Sequence, residues 1–230
     1  MSVVPASLRT RVRSTIETPV ARVFGRLGLT PNMLTLIGFG IAIVGAYFAA
    51  VQSWLLAGLI VAFGAIFDLF DGALARATNK TSNFGAFLDS TMDRAGEGVV
   101  YIGIVVAAVL GGLDRLLAPL AISAMAAGYM VSYVRARAES LGFSPGTGMA
   151  SVGLAPREVR TAILVVGLLL AGVYVGSAAS VSLIGVTYPD WLFALVAALG
   201  LITVLSTITA IQRILFTYNQ SRSQTQEVSK

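Results

Sequence analysis

Five of the eleven acidic residues in this 230-residue chain fall between Asp68 and Glu97. Asp68 and Asp71 are three positions apart, and Asp89 and Asp93 are four apart, so each pair shares one face of a helix. Two antiparallel helices joined by a short loop, each rising about 1.5 Å per residue, bring the two pairs to matching depth. The sequence therefore predicts a cluster of four carboxylates across a helix hairpin.

Four facing carboxylates repel one another unless they are protonated or bridged by cations. The chain has no His and no Cys, which excludes a thiolate nucleophile, Cys-ligated metals and the commonest general base. Carboxylate oxygens suit hard cations, so the cluster predicts two Mg²⁺ or Mn²⁺ ions. Arg76 is placed to bind a phosphate or pyrophosphate beside them. The alternative is structural: close packing of small residues, with the charges paired to Arg76 and Arg94.

The composition places these residues in a membrane. The chain is 56% hydrophobic and only 12% charged, about half the charged fraction of a soluble domain. A membrane-spanning helix needs roughly 20 mostly apolar residues, and six stretches qualify to different degrees. They are Met33–Val51, Leu55–Arg76, Gly85–Leu110, Leu116–Val134, Thr161–Ala179 and Trp191–Ile211. The predicted fold is an all-α integral membrane protein with six transmembrane helices.

The basic residues predict its orientation. Of sixteen Lys and Arg residues, all but Arg115 lie near the termini or around the joins after the second and fourth stretches. The positive-inside rule then puts both termini and the active site on the cytoplasmic side of the cell membrane. The same charges face anionic headgroups and an anionic substrate, so no nucleic-acid partner is expected.

The chain divides into three segments by pattern. Residues 1–30 contain apolar residues at helical spacing with arginines between them, which predicts an amphipathic interfacial helix over 8–27. Thr30 and Pro31 then favour a helix start. Residues 31–217 form the transmembrane domain, and residues 218–230 a polar cytoplasmic tail.

A longer pattern runs through the acidic stretch: Asp68-x2-Asp71-Gly72-x2-Ala75-Arg76-x8-Gly85-x3-Asp89-x3-Asp93. It resembles the signature of the CDP-alcohol phosphotransferase (phosphatidyltransferase) family at every fixed position. The resemblance implies transfer of a phosphatidyl group from CDP-diacylglycerol to a soluble alcohol, with release of CMP, by a homodimer. It also implies that the first three aspartates hold two divalent metals, with Asp93 as general base and partial ligand.

The resemblance extends to the site for the CDP-lipid. It implies that Gly72 and Arg76 contact the CDP moiety. Further positions expected to line this site are Pro31, Asn32, Ala75, Ser82 and Gly85. For Pro31 and Ser82, a plain helix start and a loop hydroxyl are equally good interpretations.

Several arginines converge on the cytoplasmic mouth: Arg135, Arg137, Arg157, Arg160 and Arg213. They favour an acceptor that carries phosphate, although the positive-inside rule alone would also place arginines there. The run Arg-Ala-Arg-Ala-Glu over 135–139 resembles the phosphatidylinositol-phosphate synthase branch, which implies inositol phosphate as acceptor. The 155–160 loop departs from that branch in register, so glycerol 3-phosphate is the alternative. Glu97 either orients the acceptor or pairs with Arg94.

Carboxylates inside membrane helices also occur in ion-coupled transporters, which is the remaining alternative. Two features argue against transport. The cluster lies toward one membrane face, and no pair of matching interrupted helices indicates inverted repeats.

Overall fold

The computed structural model describes residues 24, 28–77, 81–113, 115–143, 152–175, 179–183 and 186–228. Within these ranges the chain forms six helices and one β-hairpin. In order they are α1 (Pro31–Ala50), α2 (Trp54–Ala77), α3 (Asn83–Leu110), α4 (Leu117–Ser140), α5 (Arg157–Tyr174), β1 (Ser180–Leu183), β2 (Val186–Pro189) and α6 (Asp190–Val228). The predicted interfacial helix over 8–27 lies outside the described residues apart from Phe24.

Two of these helices begin at side-chain caps. Thr30 Oγ1 accepts a hydrogen bond from the Met33 amide at 3.3 Å, and Pro31 occupies the first turn of α1, which confirms the predicted helix start. Ser82 caps α3 in the same way, since its Oγ accepts from the Gly85 amide at 3.0 Å. The caps fix where α1 and α3 begin, beside each other at the same end of the molecule.

The last third of the chain differs in detail from the prediction. Helix α5 begins at Arg157 and ends at Tyr174, and the antiparallel pair β1–β2 follows it. Ser alternates with Val and Leu over 180–183, Val-Thr-Tyr follows over 186–188, and the two residues between the strands include a Gly. This pattern favours a hairpin, a short-range signal that the search for apolar stretches overlooked. Helix α6 continues to Val228, so most of the predicted polar tail extends this helix.

The helices enclose one main apolar core. Helix α1 packs on both α2 and α3, α6 packs on α4 and α5, and α2 packs on α5. Trp54, Ile104, Leu117, Leu168 and Leu195 are almost fully buried at the centre. Close van der Waals packing of such side chains holds the helix ends that carry the acidic stretch, because lipid tails are as apolar as these side chains and give no hydrophobic drive between helices.

The outer surface is apolar as well. Among the described residues, three helices are long and apolar enough to cross a membrane: α1, α4, and residues Asp190–Arg222 of α6, with mean hydropathies of 2.0, 1.5 and 2.3. Large hydrophobic side chains such as Leu36, Phe63 and Leu201 point away from the core. Extensive apolar surface of this kind is solvated by lipid, so the chain is a membrane protein.

Contact between α1 and α3 depends on a glycine. A Cβ added at Gly103 of α3 would overlap the carbonyl oxygen of Ala46 in α1. A Cβ at Gly40 of α1 would meet no atom within 4 Å. We therefore expect Gly103→Ala to lower the free energy of unfolding by about 1–3 kcal/mol, because backbone cannot yield as a side chain can. Thermal unfolding in detergent measures this, with Gly40→Ala as the matched control. Equal melting temperatures for the two variants would contradict the packing described.

Candidate active site

The acidic stretch lies along the end of α2 and the beginning of α3. Helix α1 packs against both, and an open cleft of about 580 Å³ separates the two at the end where α1 begins. Six residues predicted for the CDP-lipid site line this cleft together with Asp89: Pro31, Asn32, Gly72, Ala75, Ser82 and Gly85. The tertiary structure thus brings these residues into one space, and their binding role stays a prediction.

A single guanidinium joins the acidic residues of α2 and α3. Arg157 Nη2 lies 2.6 Å from Asp68 Oδ2, and Arg157 Nη1 lies 2.8 Å from Asp93 Oδ1. Arg94 Nη1 is 3.7 Å from the other oxygen of Asp93. Two carboxylates from the predicted cluster are therefore close in space, with a cation between them.

A second, narrower cavity extends inward from these groups. Its polar lining includes Asp68, Asp93, Glu97 and Arg157. Thr35 lines both this cavity and the cleft, so the two spaces adjoin. A molecule held in the cleft would have one end next to the Asp68–Arg157–Asp93 bridge.

Glycines allow the close approach of polar groups in this region. A Cβ at Gly38 of α1 would lie 2.9 Å from Asp68 Oδ1, which would displace that carboxylate. A Cβ at Gly85 would lie 3.1 Å from Ser82 Oγ and 3.3 Å from Asn32 Oδ1. Gly38 lies outside the signature, and no local sequence pattern identifies it as a neighbour of Asp68.

The donor set fits a hard divalent cation. Asp68 and Asp93 present carboxylate oxygens in one cavity, and Asp89 lines the adjoining cleft. No three carboxylates converge on one point among the described side chains, which do not include that of Asp71. The side chain of Arg76 is likewise outside the described set. The two-metal site stays a prediction, supported by the chemistry of these oxygens.

The five predicted acceptor arginines occupy different surroundings. Arg157 contacts the acidic cluster. Arg135 donates to Glu139 at 2.9 Å in the next turn, and Arg137 is exposed near the end of α4. Arg160 is buried and donates to Glu97 and to the Ala155 carbonyl. Arg213 is buried and donates to the carbonyls of Val152 and Val131 at 3.0 and 2.8 Å.

These contacts separate the five arginines by how well each is placed to bind an acceptor. Arg160 and Arg213 already direct donors to protein oxygens, so an acceptor role for them stays a prediction that the observed contacts do not favour. Arg157 is the member of the set that contacts aspartates of the signature, Asp68 and Asp93. The carboxylate of Glu97, predicted either to orient the acceptor or to pair with Arg94, contacts Arg160 at 2.8 Å, and its role toward the acceptor stays a prediction.

The sequence did not predict one set of contacts that helps to position Arg157. Thr209 Oγ1 of α6 accepts hydrogen bonds from the amides of Leu154 and Ala155, at 3.0 and 2.9 Å. A Cβ at Gly153, whose φ is +117°, would overlap the Thr209 side chain. These partners are more than fifty positions apart, so no local pattern links them. They hold the chain that leads into α5.

The chain is similar over most of its length to known proteins of one family. The family model of CDP-alcohol phosphatidyltransferase matches residues 28–202. The chain is 41% identical to the archaetidylinositol phosphate synthase of Pyrococcus horikoshii, over 72% of this chain and 85% of that protein. It is 35% identical to the phosphatidylinositol phosphate synthase of Streptomyces avermitilis, over 90% of this chain and 79% of that protein.

A solved structure is also similar. The crystal structure of Mycobacterium tuberculosis phosphatidylinositol phosphate synthase with CDP-DAG bound superimposes with a TM-score of 0.74 and 29% identity, over 89% of this chain and 94% of that one. The same enzyme has been solved in complex with manganese and citrate. With the signature residues gathered at one end of the helical core and the family model matching most of the sequence, the chain belongs to the CDP-alcohol phosphatidyltransferase family.

Proposed function

We propose that this transferase moves a phosphatidyl group from CDP-diacylglycerol to inositol phosphate and releases CMP. The observation that carries the proposal is the Arg157 guanidinium, held 2.8 Å from Asp93 in the cavity that adjoins the signature-lined cleft. An arginine beside a candidate base suits an acceptor that brings both a hydroxyl and a phosphate. Relatives named archaetidylinositol phosphate synthase and phosphatidylinositol phosphate synthase support the same acceptor.

In this proposal the cleft holds the CDP-lipid. Gly72 and Gly85 leave room for the nucleotide to approach backbone, and Asn32 and Ser82 offer polar atoms along the wall. Arg76 would bind the pyrophosphate as a fork. The lipid tails would remain in the bilayer, and CMP would leave toward the cytoplasm.

Asp68, Asp71, Asp89 and Asp93 would hold two divalent cations, Mg²⁺ or Mn²⁺, which would neutralise the pyrophosphate and stabilise the departing CMP. The manganese complex of the M. tuberculosis enzyme supports a divalent metal. Asp93 would also accept the proton from the attacking hydroxyl. The hydroxyl oxygen bonds to the lipid-linked phosphorus, the pyrophosphate P–O bond breaks, and CMP takes that electron pair.

Arg157 would orient the acceptor during this step. Its guanidinium contacts Asp68 and Asp93 together, so an acceptor phosphate bound to Arg157 would place its hydroxyl close to the base. Arg135 and Arg137, near the end of α4, would add positive potential at the mouth.

The proposal includes a membrane arrangement. All six helices of residues 31–217 would cross the cytoplasmic membrane, with residues 1–30 on its surface and both termini in the cytoplasm. The charged segments of α2, α3 and α5 would line the site at the cytoplasmic side. The enzyme would act as a homodimer.

Release of CMP by detergent-purified protein tests the reaction. The assay supplies Mg²⁺ or Mn²⁺ and compares inositol phosphate, unphosphorylated inositol and glycerol 3-phosphate as acceptors. We expect metal-dependent release that is fastest with inositol phosphate. Parallel assays with CDP-diacylglycerol and CDP-archaeol identify the lipid donor. Faster release with glycerol 3-phosphate would instead favour phosphatidylglycerol-phosphate synthesis, and no release with any acceptor and either donor would contradict the proposal.

A further inference from the structure

A second ion pair lies one helical turn deeper than the contact between Arg157 and Asp93. Arg160 Nε lies 2.8 Å from Glu97 Oε1, and Arg160 Nη2 lies 2.8 Å from Glu97 Oε2. The third nitrogen, Nη1, donates to the Ala155 carbonyl at 3.1 Å. Each nitrogen of the guanidinium therefore has a partner, and the pair has the parallel two-bond geometry that fixes orientation as well as distance.

The two ion pairs form parallel contacts between the same two helices. Asp93 and Glu97 are one turn apart on α3, and Arg157 and Arg160 are one turn apart on α5. The outer contact retains solvent access, with side chains 26% and 18% exposed, whereas the inner one is sealed at 1% and 5%. The outer contact is therefore the more accessible to a substrate, while the inner one is nearly fully buried although Glu97 borders the same cavity.

The inner pair also has a tight boundary on its third side. A Cβ at Gly128 of α4 would lie 3.0 Å from Arg160 Nε and 3.3 Å from Glu97 Oε1. The backbone of α4 thus lies directly against the charged groups, which leaves little room for another rotamer. Helix α5 packs most extensively on α2 and α6 and much less on α3. Its connection to α3 therefore depends largely on side-chain contacts, which include the two ion pairs.

We infer that Glu97 and Arg160 are a positioning pair that sets the place of Arg157 relative to Asp93. A buried ion pair is weak evidence for stability, because desolvation offsets much of the attraction. The two buried hydrogen bonds from Arg160 to Glu97 instead define the separation between α3 and α5, one helical turn from Asp93 and Arg157. The inference rests on the proposed function, since it assigns Arg157 to the acceptor.

Two variants separate positioning from simple stability. Arg160→Lys keeps the charge but loses the two-bond fork. The double variant Glu97→Met with Arg160→Met removes both charges at similar volume, a replacement that is often neutral or stabilising for folding. Arg222→Lys, on the exposed end of α6, is the control. The measurements are melting temperature, the KM for inositol phosphate, the KM for CDP-lipid, and kcat.

We expect both variants to raise the acceptor KM about 10- to 100-fold while the KM for CDP-lipid stays within twofold, because a small misplacement of an orienting group is costly. The double variant should show this with a melting temperature near that of the wild type. An unchanged acceptor KM in either folded variant would overturn the inference. If the double variant does not fold, the acceptor KM of Arg160→Lys decides whether the inference holds. Failure of the proposed function is a separate result, since wild-type protein would then release no CMP.

Discussion

Asp93→Asn is expected to reduce CMP release by about 10²- to 10⁴-fold, the usual contribution of a positioned general base. Asparagine keeps the size and shape of the side chain but cannot accept the proton of the attacking hydroxyl. It also loses the negative charge that holds Arg157 at 2.8 Å, so orientation of the acceptor suffers together with proton transfer. The initial rate with saturating CDP-lipid and acceptor measures the effect.

The matched control for this variant is Asp190→Asn. Asp190 begins α6 and borders a separate groove between α5 and α6, so the same chemical change there should leave the rate unchanged. Binding of CDP-lipid to Asp93→Asn should weaken much less than the rate falls, because other residues line the cleft and three aspartates of the proposed metal site remain. A rate for Asp93→Asn within a few-fold of wild type would show that another group takes the proton.

Arg157→Ala is expected to lower kcat/KM for inositol phosphate roughly 10- to 100-fold, the range for losing hydrogen bonds to a charged partner. The variant removes the cation between Asp68 and Asp93 and the group that would bind the acceptor phosphate. Steady-state kinetics with varied acceptor measure the loss. Arg157→Lys should fall between the two proteins, since it keeps the charge without the planar fork.

Unphosphorylated inositol provides an internal control for Arg157. The rate with unphosphorylated inositol should change much less in Arg157→Ala, because this acceptor has no phosphate group for Arg157 to bind. Arg222→Ala should behave as wild type with either acceptor, since that side chain packs on Tyr218 at the exposed end of α6. An equal loss with inositol and inositol phosphate would mean that Arg157 serves the carboxylates and not the acceptor.

Local patterns predicted the helices and the signature well. Apolar stretches, the Thr30 cap and the acidic spacing depend on neighbours within one or two turns, so one-dimensional reasoning reaches them. The same reasoning placed α5 a few residues late and overlooked the hairpin after it. It missed the start of α5 because charged Arg157 and Arg160 belong to the helix but not to an apolar stretch.

Partner choice among the charged residues was much harder to predict. The five arginines predicted to bind the acceptor look equivalent in sequence, yet Arg157 contacts the signature aspartates Asp68 and Asp93 while Arg160 and Arg213 bind other protein oxygens. Glu97 had two plausible roles, and its partner proved to be a residue 63 positions away. Which guanidinium meets which carboxylate depends on how α5 sits against α3.

The membrane setting, the helical architecture and the family follow from the sequence alone, because apolar length and the spacing of the aspartates are local properties with few alternatives. That Pro31, Asn32, Gly72 and Gly85 share one cleft emerges only when the helices pack. The same packing makes Gly38 the residue that leaves room for Asp68, and it buries an ion pair one turn from Arg157. The physical reason is that these contacts join residues from different helices, and packing of the whole core sets their distances.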